Sequence, residues 1–354
     1  AAAAALGVTE PYSAGIGGGG FFLYYDAASG TVSTIDGRET APLAMGADAF
    51  LGEDGEPLPF QEAVRSGLSV GTPGTALTWA RALEQFGTIG LDEALRGGTE
   101  LAEEGFVVDE TFRQQTAENQ EKFARFTASA DLFLPGGAPP EVGSVFRNPD
   151  LARTYELLAT EGVDELYTGE LAADVVRTAQ DPPEVPGTGQ VRAGLLTAED
   201  LARYDAPRRE PTRVDYRGLE VYGMAPPSSG GSTVGEALNV LELFPLGSLP
   251  AVPVLHHYLE SSALAFADRN TYVATRPTAR CRWPSCWTRR SPPSGPARST
   301  PGGHWPSRSR PVTPTASTDR APPRTPPPGR AARRGPAPRT SPSATRPATS
   351  PATP

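Results

Sequence analysis

The chain has 354 residues, with 32 Lys and Arg against 41 Asp and Glu, a formal net charge of −9. That average hides two polymers: residues 277–354 hold 14 Arg and one acid, Asp319, so residues 1–276 carry 18 basic and 40 acidic groups, a net of −22. The length suits about two domains of roughly 100–200 residues, the acidic body disfavours nucleic acid as a partner, and there is no run of about 18 apolar residues to make a transmembrane segment. Two cysteines, Cys281 and Cys286, supply neither a disulfide framework nor a four-ligand zinc site. His256 and His257 are neighbours that point to different faces of one helix, so neither a metal site nor a cofactor is expected.

In chain order, Ala1–Val8 reads as the end of a helix whose start is missing. With no initiator Met and no cap, the chain is expected to be truncated there. Ala1–Leu6 lacks the basic n-region of an export signal. Pro11–Gly20 is a loop, and Phe21–Asp26 and Thr31–Ile35 read as a hairpin turning at Ala27–Gly30. Apolar spacing predicts helices over Gly74–Phe86, Leu91–Glu104, Asn148–Glu161 and Glu170–Gln180. Thr197 and Asp200 read as a capping box that uses Asp in place of Glu or Gln. One strand is expected within Val214–Tyr222, a loop at Pro226–Gly231, and helices at Ser232–Phe244 and Val254–Asn270. Beyond about Tyr272 the chain is Pro, Arg, Ser, Thr, Ala and Gly with almost no aliphatics, a composition expected to be disordered. The domains expected are thus residues 1–273 and a tail, 274–354.

Three features carry candidate chemistry. Gly15-Ile16-Gly17-Gly18-Gly19-Gly20 matches the letters of a dinucleotide fingerprint, but the helix precedes it and the strands follow, the reverse of what that motif needs. Its physical content is close backbone approach, either in a tight turn or in a loop that seats another segment or a ligand. Arg38, in Asp36-Gly37-Arg38-Glu39 at a strand end, offers a planar fork for a carboxylate. From pattern alone the default for Arg38 is an ion pair with Asp36 or Glu39. Ser228 and Ser229 precede a helix outside any nucleophile-elbow context, so capping is their default role.

At these motifs the chain resembles the γ-glutamyltransferase (γ-glutamyl transpeptidase, glutathione hydrolase) family. The matching stretches are ALGVTEPYSAGIGGGGFF (Ala5–Phe22), IDGRETAP (Ile35–Pro42), SVGTPG (Ser69–Gly74), LYTGEL (Leu166–Leu171), GLLTAEDLARY (Gly194–Tyr204), PPSSGGSTVGEALNVLE (Pro226–Glu242) and LAFADRNTYV (Leu264–Val273), in family order. The resemblance implies an α/β fold of the N-terminal nucleophile hydrolase (αββα) type, large-subunit part only. It also implies a precursor that cuts itself, so that the small subunit's new N-terminal Thr becomes the nucleophile. That Thr attacks the γ-glutamyl amide of glutathione or another γ-glutamyl compound, and water, an amino acid or a peptide takes the acyl group. By the same resemblance Arg38 binds the α-carboxylate of the γ-glutamyl group. No residue here matches the nucleophilic Thr, so no catalytic residue is assigned and this chain alone is expected to be inactive. The remaining partner implied is the small subunit of the same precursor. Alternatives are a related amidase or β-lactam acylase, or a non-catalytic homologue. The family is commonly exported, which implies a periplasmic or extracellular site.

The tail is read as a frameshifted translation of a GC-rich gene, as one Lys against 31 Arg suggests. Joining the third base of each codon to the next two makes Trp283-Pro284 give Ala, Cys286-Trp287 give Leu and Trp287-Thr288 give Asp, whatever the codon choice. The competing reading is a genuine basic arm for nucleic acid or anionic lipid; three Trp and two Cys in the tail argue against it.

Overall fold

The structure is a computed structural model, and it describes residues 1–189 and 191–273. The expectations for the tail and its reading frame lie outside those residues.

The first helix, α1 (Ala2–Thr9), enters a core built mainly by α3 (Thr75–Phe86), α4 (Leu91–Glu104) and α8 (Pro149–Glu161). Leu91, Ala94, Leu95, Gly98, Leu101 and Ala102 repeat at helical spacing along α4 and bring its apolar face onto α1 and α8. Tyr155 on α8 is fully buried in this core, and its hydroxyl donates to the Ala4 carbonyl at 3.0 Å. Burial pushes that phenol up to about 12, so it stays a donor. Glycine is required opposite it: a Cβ at Gly98 would come within 2.8 Å of Ala4 Cβ and 3.2 Å of the Tyr155 ring. Asn148 Oδ1 caps α8 by accepting from Leu151 N at 3.1 Å, ahead of Pro149 in the first turn.

The main sheet runs β1 (Gly20–Asp26), β2 (Thr31–Gly37) and β5 (Arg208–Arg209), antiparallel, with β2 in the middle. The β1–β2 turn is the expected one, with Gly30 at φ +69° and its N–H on the Asp26 carbonyl at 2.8 Å. Phe22 and Tyr24 face inward onto Phe86, while Phe21, Leu23 and Tyr25 alternate outward and are exposed. Among the described residues no strand pairs with the outer edge of β1.

Several elements were not foreseen. Short helices α2 (Phe60–Val64), α5 (Glu110–Glu118), α6 (Gln120–Phe123) and α7 (Thr127–Phe133) join the two-residue pair β3 (Phe106–Val107) and β4 (Val145–Phe146). Phe106, Phe112, Phe133, Phe146 and Tyr12 make a second aromatic core there. The expected helix over Glu170–Gln180 forms as α9, and the box at Thr197–Asp200 opens α10 (Ala198–Ala202).

The single strand expected in Val214–Tyr222 is instead a hairpin, β6 (Thr212–Tyr216) and β7 (Leu219–Gly223). Its two-residue turn puts both Arg217 (φ 51°) and Gly218 (φ 79°) in the left-handed region. Such turns favour Asn-Gly or Asp-Gly, and an Arg in the first place conceals the signal. Helix α11 spans Gly230–Leu241, two residues earlier at its start than expected. Helix α12 spans Ala251–Tyr272, starting ahead of Pro253, whose missing N–H costs nothing in a first turn. Among the described residues no helix is long and apolar enough to cross a membrane.

Candidate functional site

The Asp36–Glu39 segment leaves β2 between the glycine loop, the start of α3 and the end of α10. Three glycines permit this convergence. A Cβ at Gly19 would lie 2.8 Å from Glu39 N and 2.9 Å from Glu39 Oε2; one at Gly37 would be forced into the Thr78 side chain; one at Gly74 would strike the Tyr204 hydroxyl and the Gly37 carbonyl. The Gly18 carbonyl accepts from Gly74 N at 2.9 Å and Thr75 N at 3.1 Å, satisfying N–H groups at the entrance to α3. The glycine cluster therefore seats a segment of this chain, as the close-approach reading requires.

Asp36 is buried. Its Oδ2 takes Arg209 Nε and Nη2, each at 3.0 Å, and its Oδ1 accepts the Arg38 backbone N–H at 3.2 Å. Arg38 stands at the surface with its side chain 60% exposed, and its Nε pairs with Glu39 Oε2 at 3.1 Å. Of the two ion pairs weighed from sequence, the structure forms the one with Glu39; Asp36 belongs to Arg209. The Glu39 contact is to Nε, and among the described residues Nη1 and Nη2 make no hydrogen bond or ion pair. An intrachain pair and a carboxylate site are thus compatible on one guanidinium.

Behind the site, Tyr204 donates its hydroxyl to the Arg38 carbonyl at 2.9 Å. Its ring stacks on Tyr167 with centroids 5.7 Å apart and planes 9° from parallel. Burial raises the Tyr204 phenol well above its ordinary value, helped by the nearby Tyr167 and the charges of Asp36, Glu39 and Asp205. Sequence reasoning missed Tyr204 and Arg209, because neither lies within forty residues of Glu39 in the chain and only the fold brings them there.

A cavity of about 830 Å³ opens beside this segment, lined by the glycine loop, Glu39, Thr78, Trp79 and Leu95, with α1 on its far wall. Arg38 itself is outside the lining. The serines of the 226–231 loop are elsewhere. Ser228 Oγ accepts from Gly230 N at 3.1 Å, but Ser229 makes no cap; its Oγ accepts from Arg269 Nε at 3.1 Å. The Ser228 contact is a local bond to the residue two places on, and the N-cap position, Ser229, makes no side-chain cap, so the capping expectation is corrected for both serines.

A family profile described as Gamma-glutamyltranspeptidase matches residues 1–282, a span that includes every residue of this site. The chain belongs to the γ-glutamyltranspeptidase family. It is 37% identical over 271 residues to the glutathione hydrolase proenzyme of Bacillus subtilis (strain 168), covering 76% of this chain and 44% of that protein. It is 36% identical over 278 residues to the acylase ACY 1 proenzyme of Pseudomonas sp. (strain SE83), covering 76% and 48%. The γ-glutamyltranspeptidase of Helicobacter pylori superposes with a TM-score of 0.71 at 31% identity, covering 77% of this chain and 76% of that one. The chain spans about half the length of the relatives it matches. Its fold is the large-subunit part of an N-terminal nucleophile hydrolase, as family members share it.

Proposed function

We propose that this chain is the large subunit of a γ-glutamyl acyltransferase and supplies the carboxylate-binding arm of its active site. The observation that carries the reading is Arg38: an exposed guanidinium whose backbone is pinned at both N–H and carbonyl and whose terminal nitrogens have no partner among the described residues. A γ-glutamyl donor presents an α-carboxylate several bonds from its scissile amide. Two charge-assisted hydrogen bonds to that carboxylate fix the donor's orientation, and holding it so lowers the entropic part of the barrier.

The nucleophile belongs to the partner, the small subunit of the same precursor, in keeping with the relatives' naming as proenzymes. A Thr hydroxyl adds to the γ-carbonyl as its proton passes to the α-amine. The amide C–N bond then breaks, and the departing amine takes a proton. Water or an acceptor amine next attacks the ester, releasing glutamate or a new γ-glutamyl amide. We seat the partner on the outer edge of β1, where Phe21, Leu23 and Tyr25 are exposed and no strand pairs among the described residues. Gly20 at the start of β1 pairs with Gly37, so a strand added at that edge lies about two strand spacings, roughly 10 Å, from the Arg38 end of β2. The tail at 274–354, read as a frameshift product, takes no part.

The test is incubation of the complete two-subunit protein with glutathione, with and without glycylglycine. Release of cysteinylglycine, and γ-glutamyl-glycylglycine when the acceptor is present, supports the reading. Cleavage of a β-lactam side-chain amide without glutathione turnover assigns the acylase alternative, and no turnover of either assigns a non-catalytic homologue.

A further inference from the structure

We infer that Tyr204 is a positioning residue for the reaction, setting the direction of the Arg38 side chain through the hydrogen bond from its hydroxyl to the Arg38 carbonyl. The inference rests on the carboxylate-binding reading of Arg38 and extends it to a residue 166 positions away in the chain.

Arg38 is the first residue beyond β2, and among the described residues no strand pairing holds it. Its conformation is therefore set by what holds its two peptide groups. Asp36 Oδ1 holds the N–H at 3.2 Å and Tyr204 holds the carbonyl at 2.9 Å. Together they fix the Cα–Cβ vector, from which a long side chain projects outward to Nε on Glu39. Without the hydroxyl, the carbonyl has no other partner among the described residues, and one of the two ties on the Arg38 backbone is lost.

The hydroxyl is itself fixed from two sides. The Tyr204 ring lies on the Tyr167 ring, and Tyr167 is anchored by its hydroxyl, which donates to the Pro73 carbonyl at 3.0 Å and accepts from Leu77 N at 3.3 Å. Tyr204 also lies two residues beyond the end of α10, which is tied to the outgoing chain where Asp200 Oδ1 accepts from Leu43 N at 2.7 Å. The two ties bracket residues 38–43, so the segment carrying Arg38 is held at both ends. The raised phenol keeps the Tyr204 proton in place across the physiological range, and the bond needs a donor because a carbonyl can only accept.

The experiment is steady-state kinetics of the complete two-subunit protein on glutathione, with Tyr204→Phe, Tyr167→Phe, Arg38→Ala and the double variant Arg38→Ala/Tyr204→Phe. Tyr204→Phe keeps the ring stack and removes only the hydroxyl. It is expected to raise KM about three- to tenfold with kcat within about twofold, the size of one lost hydrogen bond. Tyr167→Phe removes the anchor of the ring on which Tyr204 lies, so it should lower Tm and raise KM in the same direction as Tyr204→Phe but by a smaller factor. In the Arg38→Ala background, Tyr204→Phe should change KM by less than about twofold, because the group it directs is gone. An unchanged KM in Tyr204→Phe overturns the inference, as does an equal rise with and without Arg38, or a failure of Tyr204→Phe to fold. If Arg38→Ala leaves KM unchanged, it is the carboxylate reading that fails, and the inference goes with it.

Discussion

Asp36 and Arg209 meet across the β2–β5 pairing, with Nε and Nη2 of Arg209 both 3.0 Å from Asp36 Oδ2. The carboxylate is almost wholly enclosed and the guanidinium about one-third exposed. The other oxygen, Oδ1, holds the Arg38 N–H, so this pair is the floor on which the candidate site stands. Removing the guanidinium leaves a buried carboxylate without its main partner. Arg209→Ala should cost about 2–4 kcal/mol of stability, discounted for the partial exposure of Arg209, and raise the KM for a γ-glutamyl donor. Arg209→Lys should recover part of the stability, since one ammonium replaces the charge but not both contacts. Urea denaturation of the two variants checks this; a loss below about 1 kcal/mol in Arg209→Ala contradicts it.

Asp200 closes the capping box of α10. Oδ2 accepts from Thr197 N at 2.8 Å and Thr197 Oγ1 at 2.7 Å, while Oδ1 takes Leu43 N. Burial works to raise this carboxyl, but the hydrogen bonds from Thr197 and Leu43, with the Arg203 charge, outweigh it and hold the group below its ordinary 3.8. A lowered carboxyl stabilises the fold fully above 3.8 and loses that contribution as pH falls through its folded value. Asp200→Ala should cost about 2–3 kcal/mol at pH 7. The difference from wild type should shrink below pH 3.8, and a pH-independent difference would contradict the assignment.

Glu236 on α11 behaves in the opposite sense. Burial, with a hydrogen bond and negative charge from Asp268 on α12, pushes its carboxyl from an ordinary 4.5 up to about 7. The folded state holds this proton more tightly than the unfolded chain. The helix pair is therefore favoured below 4.5, loses stability as pH rises towards 7, and carries the full penalty above it. Glu236→Gln should raise Tm at pH 8 more than at pH 4.5. Melting curves of both proteins at the two pH values decide it, and an equal shift at both would remove Glu236 as the source.

Much of this was legible in the sequence, for identifiable reasons. The bounds of α4 and α9 follow from apolar spacing. The β1–β2 turn was visible in a Gly-terminated tetrapeptide, and the Thr197–Asp200 box in its letter spacing. The β6–β7 turn was hidden because Arg217 occupies a left-handed position usually given to Asn or Asp. The segments between Phe106 and Phe146 are too short to show a period, and their aromatic cluster is assembled only by the fold. At the site, Arg38 and Glu39 were readable as neighbours, but Tyr204 and Arg209 were not: no local rule links them to Asp36.

The outward face of β1 predicts an assembly phenotype. Leu23 is 43% and Tyr25 58% exposed beside a strand edge that pairs with no strand among the described residues. Leu23→Asp with Tyr25→Lys should leave the hairpin formed, because Phe22 and Tyr24 still pack on Phe86, yet weaken association with the small subunit at least about tenfold. Co-purification of separately tagged subunits measures this. Undiminished association would move the partner's seat to another surface.

The central claim is that Arg38 reads the α-carboxylate of a γ-glutamyl donor. The most direct measurement compares, for wild type and Arg38→Ala in the complete protein, kcat/KM on a γ-glutamyl amide and on the matching 4-aminobutyryl amide, which lacks only that carboxylate. Wild type is predicted to prefer the γ-glutamyl substrate by at least about tenfold, and Arg38→Ala to bring the ratio close to one. A preference that survives intact in Arg38→Ala would show that the carboxylate is read elsewhere, and would contradict the account.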